Sequence, residues 1–162
     1  MELKRVVVTG LGAVTPIGNN IQEYWDGLQK GVSGSDWITR FDAEKFKTRF
    51  ACEVKNFDPL DYFDRKELKK LDRFAQYAMV SVDEAIRDAN INKENVNGDE
   101  AGVIWGSGIG GIETFMEEVR AFTKGDGTPR FSPFYIPKMI SDIAAGMISM
   151  KYGFRGPNFG TV

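Results

Sequence analysis

Two apolar runs in this chain each close on glycine and open into a helical pattern. They are "LKRVVVTG" (residues 3–10) and "AGVIWGSG" (residues 101–108). A continuous β-branched run ending in glycine reads as a buried strand, and strands buried on both faces belong to parallel sheets. Parallel neighbours need a crossover, most often a helix. After the first run, Asn19 or Asn20 can cap a helix whose Ile21, Tyr24, Trp25 and Leu28 share one face, and Gly31 stops it. After the second, "GIETFMEEVRAFTKG" predicts a helix with Glu113, Glu117 and Glu118 in its N-terminal half, where the helix dipole favours them. The order predicts an α/β fold with a mainly parallel sheet. Two clear central strands are too few to cover the helices, so the pattern itself implies missing sheet.

The remaining segments fit that frame. Residues 64–89 predict one long helix, with Leu68, Leu71, Ala75, Ala78, Val82, Ala85, Ile86 and Ala89 at three- and four-residue steps. Asp64 with Glu67 forms a capping-box pattern at its start. "TRFACEV" (residues 48–54) reads as a short strand or extended edge, and residues 137–152 as a final helix with proline in its first turn. The closing "RGPNFGTV" is a turn leading into the start of a strand. Domains rarely stop there, because ladder groups are left unpaired. The expectation is a chain that forms part of something longer.

Composition removes several functions. The 162 residues carry a net charge of −2, which argues against general nucleic-acid binding. The N-terminus has no apolar stretch long enough for a signal peptide, and no segment approaches membrane-spanning length. One cysteine excludes an internal disulfide and fits a reducing cytoplasm. There are no histidines, which removes a thiolate/imidazole zinc site and any histidine-assisted nucleophile. No catalytic residue and no metal site is expected within the chain. Cys52, with no activating neighbour in sequence, reads as a buried, inert thiol.

Four motifs invite a functional reading. Gly106, Gly108 and Gly111 have G-x-G-x-x-G spacing between a strand and a helix, as in dinucleotide-binding turns. The acidic residue expected about twenty positions later is missing, and the plainer reading is a tight turn whose glycines admit close backbone approach. "DRKELKKLDR" places Arg65, Lys66, Lys69, Lys70 and Arg73 in the first turns of the long helix, against its dipole. That is either a solvated mixed-charge face or a docking patch for an acidic partner. "FSPFYIP" packs aromatics between prolines and covers either a pocket, a subunit interface or the core. Asp58, Asp61 and Asp64 lack the pattern of a calcium loop and read as turn and cap residues.

Six stretches taken together carry a resemblance. "KRVVVTGLGAVTPIGNN", "FDAEKFKTRFACEVKNFD", "RKELKKLDRFAQYA", "GVIWGSGIGG", "FSPFYIPKMISDIAAG" and "YGFRGPN" follow in the order and spacing of the β-ketoacyl-acyl carrier protein synthases. The likeness is greatest to the synthase II type, within the thiolase-like superfamily. It implies a thiolase-like layered fold, of which residues 1–162 form an incomplete N-terminal half. Family members are more than twice this length. Their nucleophilic cysteine lies just beyond the "RGPN" turn, with two histidines and a lysine later, and Cys52 does not align with the nucleophile.

The resemblance also implies chemistry and partners. The family carries out a decarboxylative Claisen condensation between an acyl-enzyme and malonyl-acyl carrier protein in fatty acid elongation. It uses no resident cofactor, because the phosphopantetheine arm arrives on the carrier. Ile109 matches a residue lining and gating the acyl pocket. Phe134 and Tyr135 match a loop that reaches across a homodimer into the partner's pocket. Lys66, Lys69 and Lys70 match the basic patch that receives the acidic carrier protein. Arg130, with Lys124, falls where a second basic contact is expected, although the loop there departs from the family's length. The implied partners are acyl carrier protein, a second copy and the C-terminal part of the synthase, in the cytoplasm, with no nucleic acid and no membrane. The rival readings are a non-catalytic chain-length partner of a polyketide-type synthase, an NAD(P)-binding α/β oxidoreductase and a non-enzymatic binding module.

Overall fold

A computed structural model describes residues 4–162. The chain divides into two compact units, Met1–Asp58 with Val80–Asn90, and Pro59–Met79 with Ile91–Val162. No helix among the described residues is long and apolar enough to cross a membrane.

In the first unit, α1 spans Ile21–Gln29. Asn20 caps it by accepting the Glu23 amide at 2.8 Å, and Glu23 returns a carboxylate oxygen to the Asn19 amide at 2.8 Å. Gly31, at φ +63°, follows the helix, as its position in sequence predicts. A short antiparallel pair joins β1 (Asp36–Trp37) to β2 (Phe50–Ala51), with Trp37 opposite Phe50. The predicted edge at residues 48–54 is thus a two-residue strand. It places Cys52 in solvent, correcting the expected buried thiol.

The valine run is the largest departure. Leu3 lies outside the described residues, and residues 4–10 form no strand, with Val6 89% exposed. β-Branched residues favour strands only where a neighbour completes the ladder and covers the side chains. Residues 10–13, at the end of the run, are fixed by backbone contact instead. A Cβ on Gly10 or Gly12 would collide with the carbonyls of Ala85 and Ser81. The Asp88 carboxylate accepts the Leu11 amide, and that of Glu84 accepts the Ala13 and Ile21 amides, each at 2.9 Å.

The predicted helix at residues 64–89 is two helices. α2 (Arg65–Leu68) has the capping box read from sequence, with Asp64 accepting from Lys66 and Glu67 amides and Glu67 returning to the Asp64 amide. α3 (Arg73–Asp88) begins after a break at residues 69–72. The break comes from Asp72, which is only 5% exposed. Its carboxylate accepts the Phe74 amide at 3.4 Å and, from α4 (Ile112–Lys124), the Thr114 amide at 2.9 Å and the Thr114 hydroxyl at 2.5 Å. One carboxylate thus caps two helix starts, which an uninterrupted helix would forbid.

Strands β3 (Val103–Gly106) and β4 (Asn158–Thr161) pair in parallel, Val103 opposite Asn158 through Gly106 opposite Thr161. The closing strand is therefore present. Of the two sheets among the described residues, this one alone is parallel, so the expected mainly parallel sheet is realised as a single pair. The expected final helix is also divided, into α5 (Tyr135–Met139) and α6 (Ile143–Tyr152). The Met139 carbonyl accepts the Gly111 amide at 2.9 Å, and Ile140 leaves helical geometry at ψ 137°. α6 packs on β3 and β4 and buries Ala144, Ala145 and Ile148. Arg155 bonds Asp99 at 2.6 Å just before β4.

Two outcomes test this account. Asp72→Ala is expected to destabilise the protein by about 2–4 kcal/mol in urea unfolding, because it removes two caps and strands a buried hydroxyl; a change below about 0.5 kcal/mol would remove Asp72 as the junction. The Arg155 guanidinium, through its hydrogen bond and charge, holds the Asp99 carboxyl below its ordinary range. Folding therefore lowers this pKa, so the bridge stabilises above the ordinary aspartate value and its contribution fades as pH falls through the folded one. Asp99→Asn is expected to melt below the parent protein at neutral pH and to converge with it in acid. A gap independent of pH would assign the effect to packing.

Candidate functional site

An open apolar groove of about 660 Å³ lies at the C-terminal ends of β3 and β4. Ile109 stands at its rim in the turn from β3 to α4, 70% exposed, and Ile112 and Phe115 from the first turn of α4 continue the wall. Met139 and Ile140 supply the opposite side, and Gly160 of β4 also lines the groove.

The turn carrying Ile109 is fixed by its neighbours. The Ser107 amide donates to the Thr161 carbonyl at 2.9 Å, and the Ser107 hydroxyl accepts the Gly110 amide at 3.1 Å. Gly110 adopts φ +84°, and a Cβ there would strike the Met139 carbonyl. Gly110 and Gly111 thus serve close backbone approach, as the plainer reading has it, whereas Gly106 meets only the Thr161 methyl at an ordinary 3.5 Å. The Thr114 amide in the first turn of α4, where a dinucleotide-binding turn would cradle pyrophosphate, already bonds the Asp72 carboxylate. Gly108 has open space around it, so no backbone neighbour requires its lack of a side chain.

Tyr135 and Phe134 lie apart from the groove's wall. Tyr135 stacks on Phe131 with ring centroids 5.5 Å apart, and Phe131 meets Phe122 of α4 at 5.7 Å. The Glu118 carboxylate accepts the Ser132 amide at 3.3 Å, and the Ser132 hydroxyl accepts the Phe134 amide at 3.2 Å. The loop is therefore anchored on α4 by both rings and hydrogen bonds. Both aromatics are half-buried.

The basic segment has a different construction. Phe63 and Leu71 are buried on either side of α2, while Lys66, Lys69 and Lys70 are exposed. None of the three ammonium groups forms an ion pair among the described residues. Beyond Leu71, Asp72 and the Arg73–Glu113 pair at 2.8 Å tie the segment to α4. Glu113 raises the Arg73 pKa through its hydrogen bond and charge, so this cation stays charged. Lys138 lines a recess of about 270 Å³ with Leu68, Arg73 and Glu117, bringing a further cation beside α2. Sequence reading passed over Lys138, since it lies 68 or more positions from the patch and only α5 carries it there. Arg130 is exposed but pairs with Asp126 at 3.0 Å, within a separate recess lined by Phe122 and Phe131. Among the described residues no cluster of three or more His, Cys, Asp or Glu could hold a metal ion.

Comparison with known proteins agrees across the chain. The family described as β-ketoacyl synthase, N-terminal domain, matches residues 3–162. A 3-oxoacyl-[acyl-carrier-protein] synthase 2 of Synechocystis sp. is 48% identical over 162 residues, all of this chain but 39% of that relative. Among solved structures, the ishigamide ketosynthase/chain length factor superposes with a TM-score of 0.83 at 27% identity, over 96% of this chain and 39% of its own. A ketosynthase in complex with a type II polyketide acyl-carrier protein, AntDE:AntF, superposes at 0.75 and 24% identity, over 97% of this chain and 42% of its own, and shows the shared fold. The chain therefore spans well under half the length of these relatives. With the family match covering nearly every residue, the chain belongs to the β-ketoacyl synthase family, in its N-terminal domain.

Proposed function

We propose that this chain is the N-terminal part of a 3-oxoacyl-acyl carrier protein synthase that elongates fatty acyl chains in the cytoplasm. The observation that carries the reading is the 48% identity to a synthase 2 across all 162 residues. The enzyme joins an acyl group held as a cysteine thioester to malonyl-acyl carrier protein, with loss of CO2. The nucleophile and histidines belong to the part of the synthase beyond this chain, within a thiolase-like layered fold. This chain alone is inactive in condensation. No metal or dinucleotide takes part.

Within that reaction the chain has two tasks. The groove headed by Ile109 forms part of the acyl pocket, and its apolar walls suit a hydrocarbon chain. Phe134 and Tyr135, carried on the anchored loop, face the second copy of a homodimer and complete that pocket from the partner side. Lys66, Lys69 and Lys70 receive the acidic carrier protein. Their support favours this reading, because a short capped helix between buried anchors presents cations at little further ordering cost. Arg130 adds a peripheral contact, discounted by its pairing with Asp126. A chain-length partner without the nucleophile is the weaker reading; the residue about three positions past Val162 distinguishes the two.

The combined Lys66→Glu and Lys69→Glu substitutions in the full synthase are expected to raise KM for carrier-linked substrates by about tenfold or more at low salt, with the loss shrinking as salt rises. Turnover of free pantetheine thioesters should be unchanged. Equal loss with both substrate forms would place the lysines outside carrier docking. Ile109→Trp is expected to shift the product distribution toward shorter acyl chains, read by mass spectrometry of the carrier-bound products. An unaltered distribution would remove Ile109 from the pocket.

A further inference from the structure

Helix α4 carries an apolar stripe that its own unit leaves bare. Ile112, Phe115, Met116, Val119 and Phe122 recur at the spacing of one helix face. All five are between 37% and 51% exposed, although Ile112 and Phe115 line the Ile109 groove and Phe122 meets Phe131. The face that packs is the other one, where Thr114 is buried and bonded to Asp72. From Ala121 to Lys124 every residue is exposed. A continuous stripe of this kind marks an interaction surface, unlike apolar residues scattered singly.

The charges beside the stripe point to its occupant. Glu113, Glu117, Arg120 and Lys124 follow one another at three- and four-residue steps and form a row along one flank. The row is acidic in its first half and basic in its second. Glu113 is held by Arg73 at 2.8 Å. Glu117, Arg120 and Lys124 are exposed, and their charged groups form no ion pair among the described residues. The opposite flank offers Glu118 alone, and its carboxylate already accepts the Ser132 amide.

A row that runs from acid to base complements itself when reversed. In an antiparallel pair whose stripes face each other, like flanks meet, so the row of one helix runs against the same row of the other. A parallel pair would set it against the flank of Glu118 instead. We propose that α4 pairs antiparallel with α4 of a second copy, about a two-fold axis, with Glu117 of each copy level with Arg120 of the other. That register sets Glu113 level with Lys124, and Phe115 level with Phe122. The second copy thereby adds its Phe122 to the wall of the Ile109 groove, beside Phe115. The inference rests on the second copy proposed above and does not depend on the condensation chemistry.

Glu117→Arg and Arg120→Glu, made separately in the full-length polypeptide, test the pairing. Each homodimer then carries like charges at two symmetric contacts. Sedimentation at low salt is expected to show its dissociation constant raised about tenfold or more. An equal mixture of the two variants restores opposite charges at both contacts. Native mass spectrometry of the equilibrated mixture, with one variant isotopically labelled, is expected to show heterodimer well above the statistical half. Charge pairing within a single helix gains nothing from mixing, so only contact between copies produces this preference. Heterodimer at the statistical half overturns the pairing while the homodimer stands, and assigns the stripe to the rest of the polypeptide. A parent protein that sediments as a monomer overturns the pairing and the homodimer together. Neither readout involves condensation.

Discussion

The Asp72 carboxylate is the constraint on which the second unit depends. It joins the start of α3 to the start of α4, and both helices owe part of their N-terminal hydrogen bonding to it. A helix start leaves several amides unpaired, and one buried carboxylate meeting two such starts satisfies donors that no local residue reaches. The cost is the continuity of the helix predicted over residues 64–89. In exchange the basic segment becomes a short, separately capped helix with buried anchors at both sides. The same bond occupies the first turn of α4, so it also decides against a nucleotide at "GSGIGG". The separate basic helix and the occupied first turn of α4 trace to one side chain.

The second unit repeats a device in which backbone meets backbone at glycine. Gly110 and Gly111 admit the end of α5, Gly98 admits the turn after α6, and Gly102 admits Pro157 beside the start of β3. Each contact brings two segments closer than any side chain would allow. The Ile109 groove lies at one end of β3–β4 and is bordered by such contacts. The parallel pair with α6 across it is therefore the frame of this unit. The groove is where the frame ends and connecting loops are drawn together.

How much of this was legible in the sequence depended on range. The cap at Asn20 and the capping box at Asp64 were readable because both partners lie within one helical turn. β3 and β4 were readable because apolar runs and a Gly-Pro turn bound them. The break at residues 69–72 was not, since Thr114 lies 42 positions from Asp72. The division between α5 and α6 was hidden for the same reason, because Met139 is claimed by Gly111. Helical periodicity continues through both breaks, and nothing local opposes it. The valine run shows the converse error. Its strand propensity is local, but a strand is completed by a neighbour that local reading cannot supply.

The candidate site divides along the same line. Ile109 could be placed in a pocket wall because its turn is short and its resemblance to the family is residue by residue. Lys66, Lys69 and Lys70 were legible as charge, but charge alone left docking patch and solvated face equally open. What favours docking is rigidity: α2 is held by Phe63, Leu71 and Asp72, so its cations keep one arrangement. A flexible cationic face attracts an acidic partner without fixing its register, whereas a fixed one also orients it. Lys138 extends the argument, since α5 carries it to the same recess as Leu68 and Arg73. The segment that borders the Ile109 groove through Met139 and Ile140 thus also borders the basic segment through Lys138, so α5 physically connects the two candidate surfaces.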